Sequence, residues 1–212
     1  MRSLLMTHKS VSGLVIGLSI MISGCSHTET ATLATSSPSV SKIEHPTDTV
    51  LKKTSEQIVH LLITENNDPS QHVHQMIELL PKLNWSVYSK VNQVPAEEVF
   101  GYLYTYVDLI TKTDYPHLLQ ASSRLDGAMS ETYAVIVSDI FQNHRKDLLQ
   151  ALTDIDNFDV QQSVIGYIAF DLASDHLEQH QQEIMNWQKK HSLTSQEKQL
   201  IQELLKKLDY PY

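Results

Sequence analysis

Glycine is scarce wherever this chain could build a domain. Beyond residue 25 only Gly101, Gly127 and Gly166 occur, widely separated. A phosphate-cradling loop or a dinucleotide-binding turn needs clustered glycines, for sharp turns and close backbone approach. Neither can be made from these three, which removes most nucleotide-dependent enzymes. Few glycines combined with leucine-rich periodic segments favour helices over sheet.

The periodic segments are punctuated by prolines and caps. Residues 48–65 read as a helix through Leu51, Ile58, Val59 and Leu62. Asp68-Pro69 supplies a cap followed by proline at the first helical position. Val73, Met76, Ile77 and Leu80 then form one face, and Pro81 closes it. Pro95 opens a further helix, with Glu97 and Glu98 in the first turn, where the helix dipole favours carboxylates. Its expected face is Val99, Leu103, Tyr106, Val107 and Ile110. Asp114 and Pro116 mark the next start. Residues 175–190 predict a glutamine-rich helix touching the core through Leu177, Ile184 and Trp187. Thr194 and Glu197 have capping-box spacing ahead of Leu200, Ile201, Leu204, Leu205 and Leu208. The run 132–140 contains Val135, Ile136 and Val137 and has some strand character. The stripe Tyr133, Val137, Ile140, Phe141 and His144 nonetheless argues for a helix there. The expected fold class is an all-α bundle of short helices.

An internal echo adds to this. Leu118-Leu119-Gln120-Ala121 recurs thirty residues later as Leu148-Leu149-Gln150-Ala151. At the same offset Asp126 matches Asp156, Val137 matches Tyr167 and Ile140 matches Phe170. A further step back gives Val91, Val107 and Ile110. The pattern predicts stacked helical hairpins across 85–173, each a short helix, an acidic turn and a longer apolar helix.

The N-terminal residues differ from all of this. Arg2 and Lys9 precede an uncharged run from Ser10 to Gly24. That run is too short to span a membrane, which takes about 20 apolar residues. It ends in Ile22-Ser23-Gly24-Cys25, and Cys25 is the only cysteine. An aliphatic residue, two small residues and a cysteine resemble the lipobox of bacterial lipoproteins. The resemblance covers residues 1–25. It implies a signal peptide over 1–24, a Cys25 diacylated on sulfur and often acylated on its amine, with palmitate among the acyl chains, and a membrane-held protein at the bacterial cell envelope. A spanning anchor with an incidental cysteine would instead carry Lys and Arg after the run, where this chain has Ser and Thr. Ser26 follows the cysteine, not the Asp that resembles an inner-membrane retention signal. That favours the periplasmic face of the outer membrane if the source has two membranes. Nine of the sixteen residues Ser26–Ser41 are Ser or Thr. Residues 26–46 therefore read as a disordered tether, leaving 47–212 as a single helical domain.

With Arg2 and Lys9 removed, fourteen basic residues face twenty-five acidic ones, a net charge of −11. Such a chain is a poor nucleic-acid binder. If Cys25 is lipidated, no intrachain disulfide is available, and the core must carry the stability. No cofactor is implied.

Few residues suggest chemistry. His176, His180 and Glu183 have spacing that would place them on one helix face, as zinc or copper ligands are. They lack the H-E-x-x-H order and an obvious fourth ligand, and glutamines surround them. His72 and His74 fall on different faces of a helix and read as surface residues. Asp154-Ile155-Asp156-Asn157-Phe158-Asp159 lacks the glycine of a calcium loop, has Phe158 where an oxygen is needed, and reads as a turn whose Asn157 or Asp159 caps the next helix. Tyr102, Tyr104 and Tyr106 suit core packing better than a partner surface. No spacing selects a Ser-His-Asp triad. The expectation is a membrane-anchored helical scaffold, adaptor or inhibitor that binds another protein. The alternatives are a metal-dependent protein or enzyme using His176, His180 and Glu183, and a carrier of a small ligand or lipid.

Overall fold

A computed structural model describes residues 46–64, 68–123, 125 and 127–210. Ile22, Ser23, Gly24 and Cys25, almost all of the tether expected at 26–46, and Asp126 lie outside the described residues. Among those described there are nine α-helices and no strand.

The N-terminal helix α1 spans Pro46–Ile63. Asp68 then caps α2, Pro69–Leu79, accepting the Gln71 N–H at 3.3 Å. Val73, Met76, Ile77 and Leu80 are all buried, as their spacing requires. Pro81 converts the chain to a short 3₁₀ turn, Leu80–Lys82, before Asn84 caps α3, Trp85–Val91. The next helix, α4, covers Glu97–Thr105 and stops short of its expected face. Val99 and Leu103 are buried on it, but Tyr106 leaves the helix and Val107 enters a 3₁₀ turn. Thr105 Oγ donates to the Gly101 carbonyl at 2.9 Å. Such back-bonding bends helices, and the β-branched and aromatic run Tyr104–Val107 holds them poorly.

Pro116 sits in the first turn of α5, Tyr115–Gln120. Gly127 starts α6 with a positive φ of 49°, a conformation that favours glycine. The α6 helix runs Gly127–Thr153 and contains the β-branched residues Val135–Val137 as helix, not strand. Tyr133, Val137, Ile140 and Phe141 are buried on its stripe. His144 was expected to complete that stripe. It is exposed instead, and its φ of −132° and ψ of 37° kink the helix. Asn157 accepts the Asp159 and Val160 N–H groups and caps α7, Phe158–Ala173. The last helices are α8, Leu177–Lys190, and α9, Ser195–Asp209.

Thr194 and Glu197 form the expected capping box on α9. Lys146 Nζ reaches both Glu197 oxygens, at 2.6 and 2.7 Å, and pins the start of α9 to the part of α6 beyond the kink. Burial pushes the Glu197 carboxyl up. The Lys146 ammonium and the Thr194 bonds outweigh that and hold it below its ordinary value.

The α6 helix packs against α4, α5, α7 and α9, and α7 packs in turn against α9. The two central units repeat in burial, with a change of register. Leu118, Leu119, Ala121 and Ser122 are buried, and so are Leu148, Leu149, Ala151 and Leu152, at the expected offset of thirty. The long helices match at thirty-one. Met129, Tyr133, Ala134, Val137, Ser138 and Phe141 correspond to Val160, Val164, Ile165, Ile168, Ala169 and Leu172, the full buried set of α7. One extra residue in the second connection rotates α7 relative to the expected alignment. Val137 therefore pairs with Ile168, not Tyr167, and Phe170 is 44% exposed where Ile140 is buried. Asn157, one of the two residues expected to cap this helix, is the cap. The earliest unit departs further, because α3 lies chiefly against α1.

If the short segments are equivalent, Leu119→Ala and Leu149→Ala should each lower the unfolding free energy by about 2–5 kcal/mol. The exposed neighbours Gln120→Ala and Gln150→Ala should change it by no more than about 0.5 kcal/mol. Urea unfolding of the four variants measures this, and a costly leucine whose echo is free would break the equivalence.

Candidate functional site

The three residues weighed as weak metal-ligand candidates do not converge. His176 precedes α8 with a left-handed φ of 52°, so it leaves the helix face that the spacing assigned to it. Its Nε2 lies 3.3 Å from Asp175 instead. His180 approaches Glu183 at 4.0 Å. Glu183 Oε1 accepts from Gln179 Nε2 at 2.8 Å. Its charge also acts on Arg145, whose guanidinium burial lowers from its ordinary value and Glu183 raises. Arg145 lies over the Phe141 ring at 4.6 Å and the Trp187 ring at 5.2 Å. No group of three His, Cys, Asp or Glu side chains among the described residues is placed to share a metal ion.

The tyrosines divide. Tyr102 and Tyr106 are partly buried with ring centroids 4.9 Å apart, whereas Tyr104 is 51% exposed. Tyr88 is fully buried. Burial, with Glu97 and Glu98 adding to it, pushes its hydroxyl up to about 12.

His72 and His74 are the residues whose placement most departs from expectation. His72 is buried on α2, four residues before Met76 and on the same side of the helix. His74 faces the segment that precedes α5. Its Nδ1 lies 2.8 Å from Asp114 Oδ1. A carboxylate only accepts hydrogen bonds, so Nδ1 carries the hydrogen. In the neutral ring Nε2 is then the acceptor, and Ser70 Oγ lies 3.2 Å from it. Ser70 and His74 meet because they are four apart on α2. Asp114 itself is buried. Its Oδ2 accepts the Thr111 N–H at 2.7 Å and the Thr111 hydroxyl at 2.8 Å. Its backbone carbonyl accepts the His117 and Leu118 N–H groups and starts α5.

Asp114 thus joins α2 to the turn ahead of α5. A hydroxyl, an imidazole and a carboxylate stand in series. They border a surface cleft of about 480 Å³, also lined by Gln71, Gln75, Glu78 and His117. Half of this was legible in sequence, since Ser70 and His74 have helical spacing after an evident cap. Asp114 lies forty residues from His74, and no local signal links them.

Comparison of the chain with protein-family models, with curated proteins and with solved structures returns no match.

Asp114→Asn should destabilise the domain by about 1.5–3 kcal/mol, the range for hydrogen bonds to charged groups. An amide cannot accept the His74 N–H and both Thr111 donors in the same arrangement. Chemical unfolding of the variant checks this, and an unchanged midpoint would show that the turn is held by other means.

Proposed function

We propose that this chain is a lipid-anchored, extracytoplasmic scaffold that presents a helical surface to another protein at the bacterial envelope. The observation that carries this reading is the buried register that α5 with α6 shares with the end of α6 and α7, with α4 and α9 packed alongside. Stacked helical units form extended surfaces, because each unit buries its apolar face only against its neighbours. Apolar groups left on these helices supply contact area. Phe158 is 65% exposed at the start of α7, beside a cleft that includes Gln161, Gln162, Gln196 and Gln199. Phe170 on α7 and Tyr104 on α4 are exposed elsewhere on these helices. Aromatic anchors ringed by polar groups are what protein partners engage most strongly.

The tether reading supports the same role. If Cys25 is acylated, each buried methylene contributes about 0.8 kcal/mol, and two or three chains hold a domain on a membrane where one does not. If the residues read as a tether are flexible, some twenty of them would span about 25 Å on average, enough to hold a domain off the lipid surface. The net charge of the chain, −9, suits a protein partner better than nucleic acid.

Two measurements in intact cells test the proposal. A clickable palmitate analogue should label the protein, and Cys25→Ser should lose both the label and membrane retention. A photo-crosslinking residue at position 158 should trap a discrete protein adduct that the same residue at exposed Lys52 does not. Lipid labelling that persists in Cys25→Ser would remove the anchor. Equal trapping at both positions, or none, would remove the surface.

A further inference from the structure

We propose that Ser70 is a nucleophile for acyl transfer, with His74 as its general base and Asp114 as the residue that positions His74. This goes beyond the scaffold reading and does not depend on it.

The geometry supplies the order that such chemistry needs. Ser70 Oγ stands 3.2 Å from His74 Nε2, and His74 Nδ1 stands 2.8 Å from Asp114. A nucleophilic serine is weak until an adjacent base takes its proton, and the base works only in the correct tautomer and orientation. Asp114 fixes both. It is buried, its second oxygen is held by the Thr111 N–H and hydroxyl, and its first is left for His74. The reacting end of the series is open, since Ser70 and His74 both line the cleft. Ser70 is also the second residue of α2, an eleven-residue helix. In that turn Pro69 has no N–H and the Gln71 N–H is taken by Asp68, which leaves the Ser70 N–H without an intrahelical acceptor.

Asp68 and Glu78 line the same cleft and disfavour anionic substrates, while Gln71 and Gln75 offer hydrogen bonds. The chemical class that fits is a small uncharged carboxylic ester. Ser70 Oγ adds to its carbonyl carbon as the hydroxyl proton passes to His74 Nε2. The adduct collapses, the bond from carbon to the leaving oxygen breaks, and His74 returns the proton to the departing alcohol. Water then adds to the acyl carbon and gives a proton to His74. The acid leaves as Ser70 Oγ recovers that proton. The net reaction is ester plus water to acid plus alcohol, with no other reactant.

A fluorophosphonate probe on the purified full chain tests the assignment. Ser70 Oγ would displace fluoride and form an oxygen–phosphorus bond. Peptide mass analysis should place the adduct on Ser70 in the native chain and not in the urea-unfolded chain. Ser70→Ala should abolish it. His74→Gln should slow labelling about 10²–10⁴-fold, the usual worth of a positioned base. Asp114→Asn should slow it at equal folded fraction, which a role confined to tying α2 to the turn would not produce. Hydrolysis of p-nitrophenyl acetate should fall to the background rate in Ser70→Ala. No adduct on the native chain, an adduct on another serine, or labelling equally fast in folded His74→Gln would overturn the proposal. If His74→Gln does not fold, the comparison of native with unfolded wild-type chain decides.

Discussion

Tyr133 is the side chain on which the arrangement of the helices depends. It is fully buried on α6, and burial raises its hydroxyl well above the ordinary tyrosine value. That hydroxyl donates to the Leu118 carbonyl at 3.2 Å, which ties α6 to α5. The ring meets Phe100 of α4 at 5.8 Å and Tyr167 of α7 at 5.1 Å, both edge-on. Phe100 in turn meets Trp85 of α3 at 5.5 Å. One residue therefore touches three neighbouring helices and extends a chain of rings to a fourth. Edge-to-face aromatic pairs contribute about 0.5–1.5 kcal/mol each beyond the area they bury. With no disulfide among the described residues, such packing has to fix how the helices sit.

The fold was largely legible in sequence because its signals are local. Caps at Asp68, Asn157 and Thr194, and apolar stripes between them, mark helices without reference to anything distant. Signals failed where a distant contact or a single inserted residue decided the outcome. The offset of thirty holds for Leu119 and Leu149. It fails for Val137 and Tyr167, because one added residue before α7 turns that helix by about 100°. The pattern of apolar residues tolerates either register. Only packing against α6 selects one. His144 continues the stripe by spacing, yet it sits at a kink that spacing does not encode.

The candidate site shows the same division more sharply. Ser70 and His74 are linked by helical spacing, whereas Asp114 reaches His74 only once α2 has packed on α5. Asp114 looked like the cap of α5, and its backbone does begin that helix, but its carboxylate is turned to Thr111 and His74. The weak metal-ligand candidates come apart for a converse reason. Their spacing is helical, but α8 begins at Leu177, one residue too late to include His176. The proposed partner surface and the proposed ester-hydrolysing cleft use different residues.

The dependence on Tyr133 is open to direct measurement by amide hydrogen exchange on the wild-type chain and on Tyr133→Leu. If Tyr133 joins the helices as described, exchange should rise in α4, α5 and α7 as well as in α6. Each loss of about 1.4 kcal/mol of local stability corresponds to a tenfold rise. Faster exchange confined to the turns of α6 around residue 133 would contradict the account. The helices would then be held by contacts independent of that side chain.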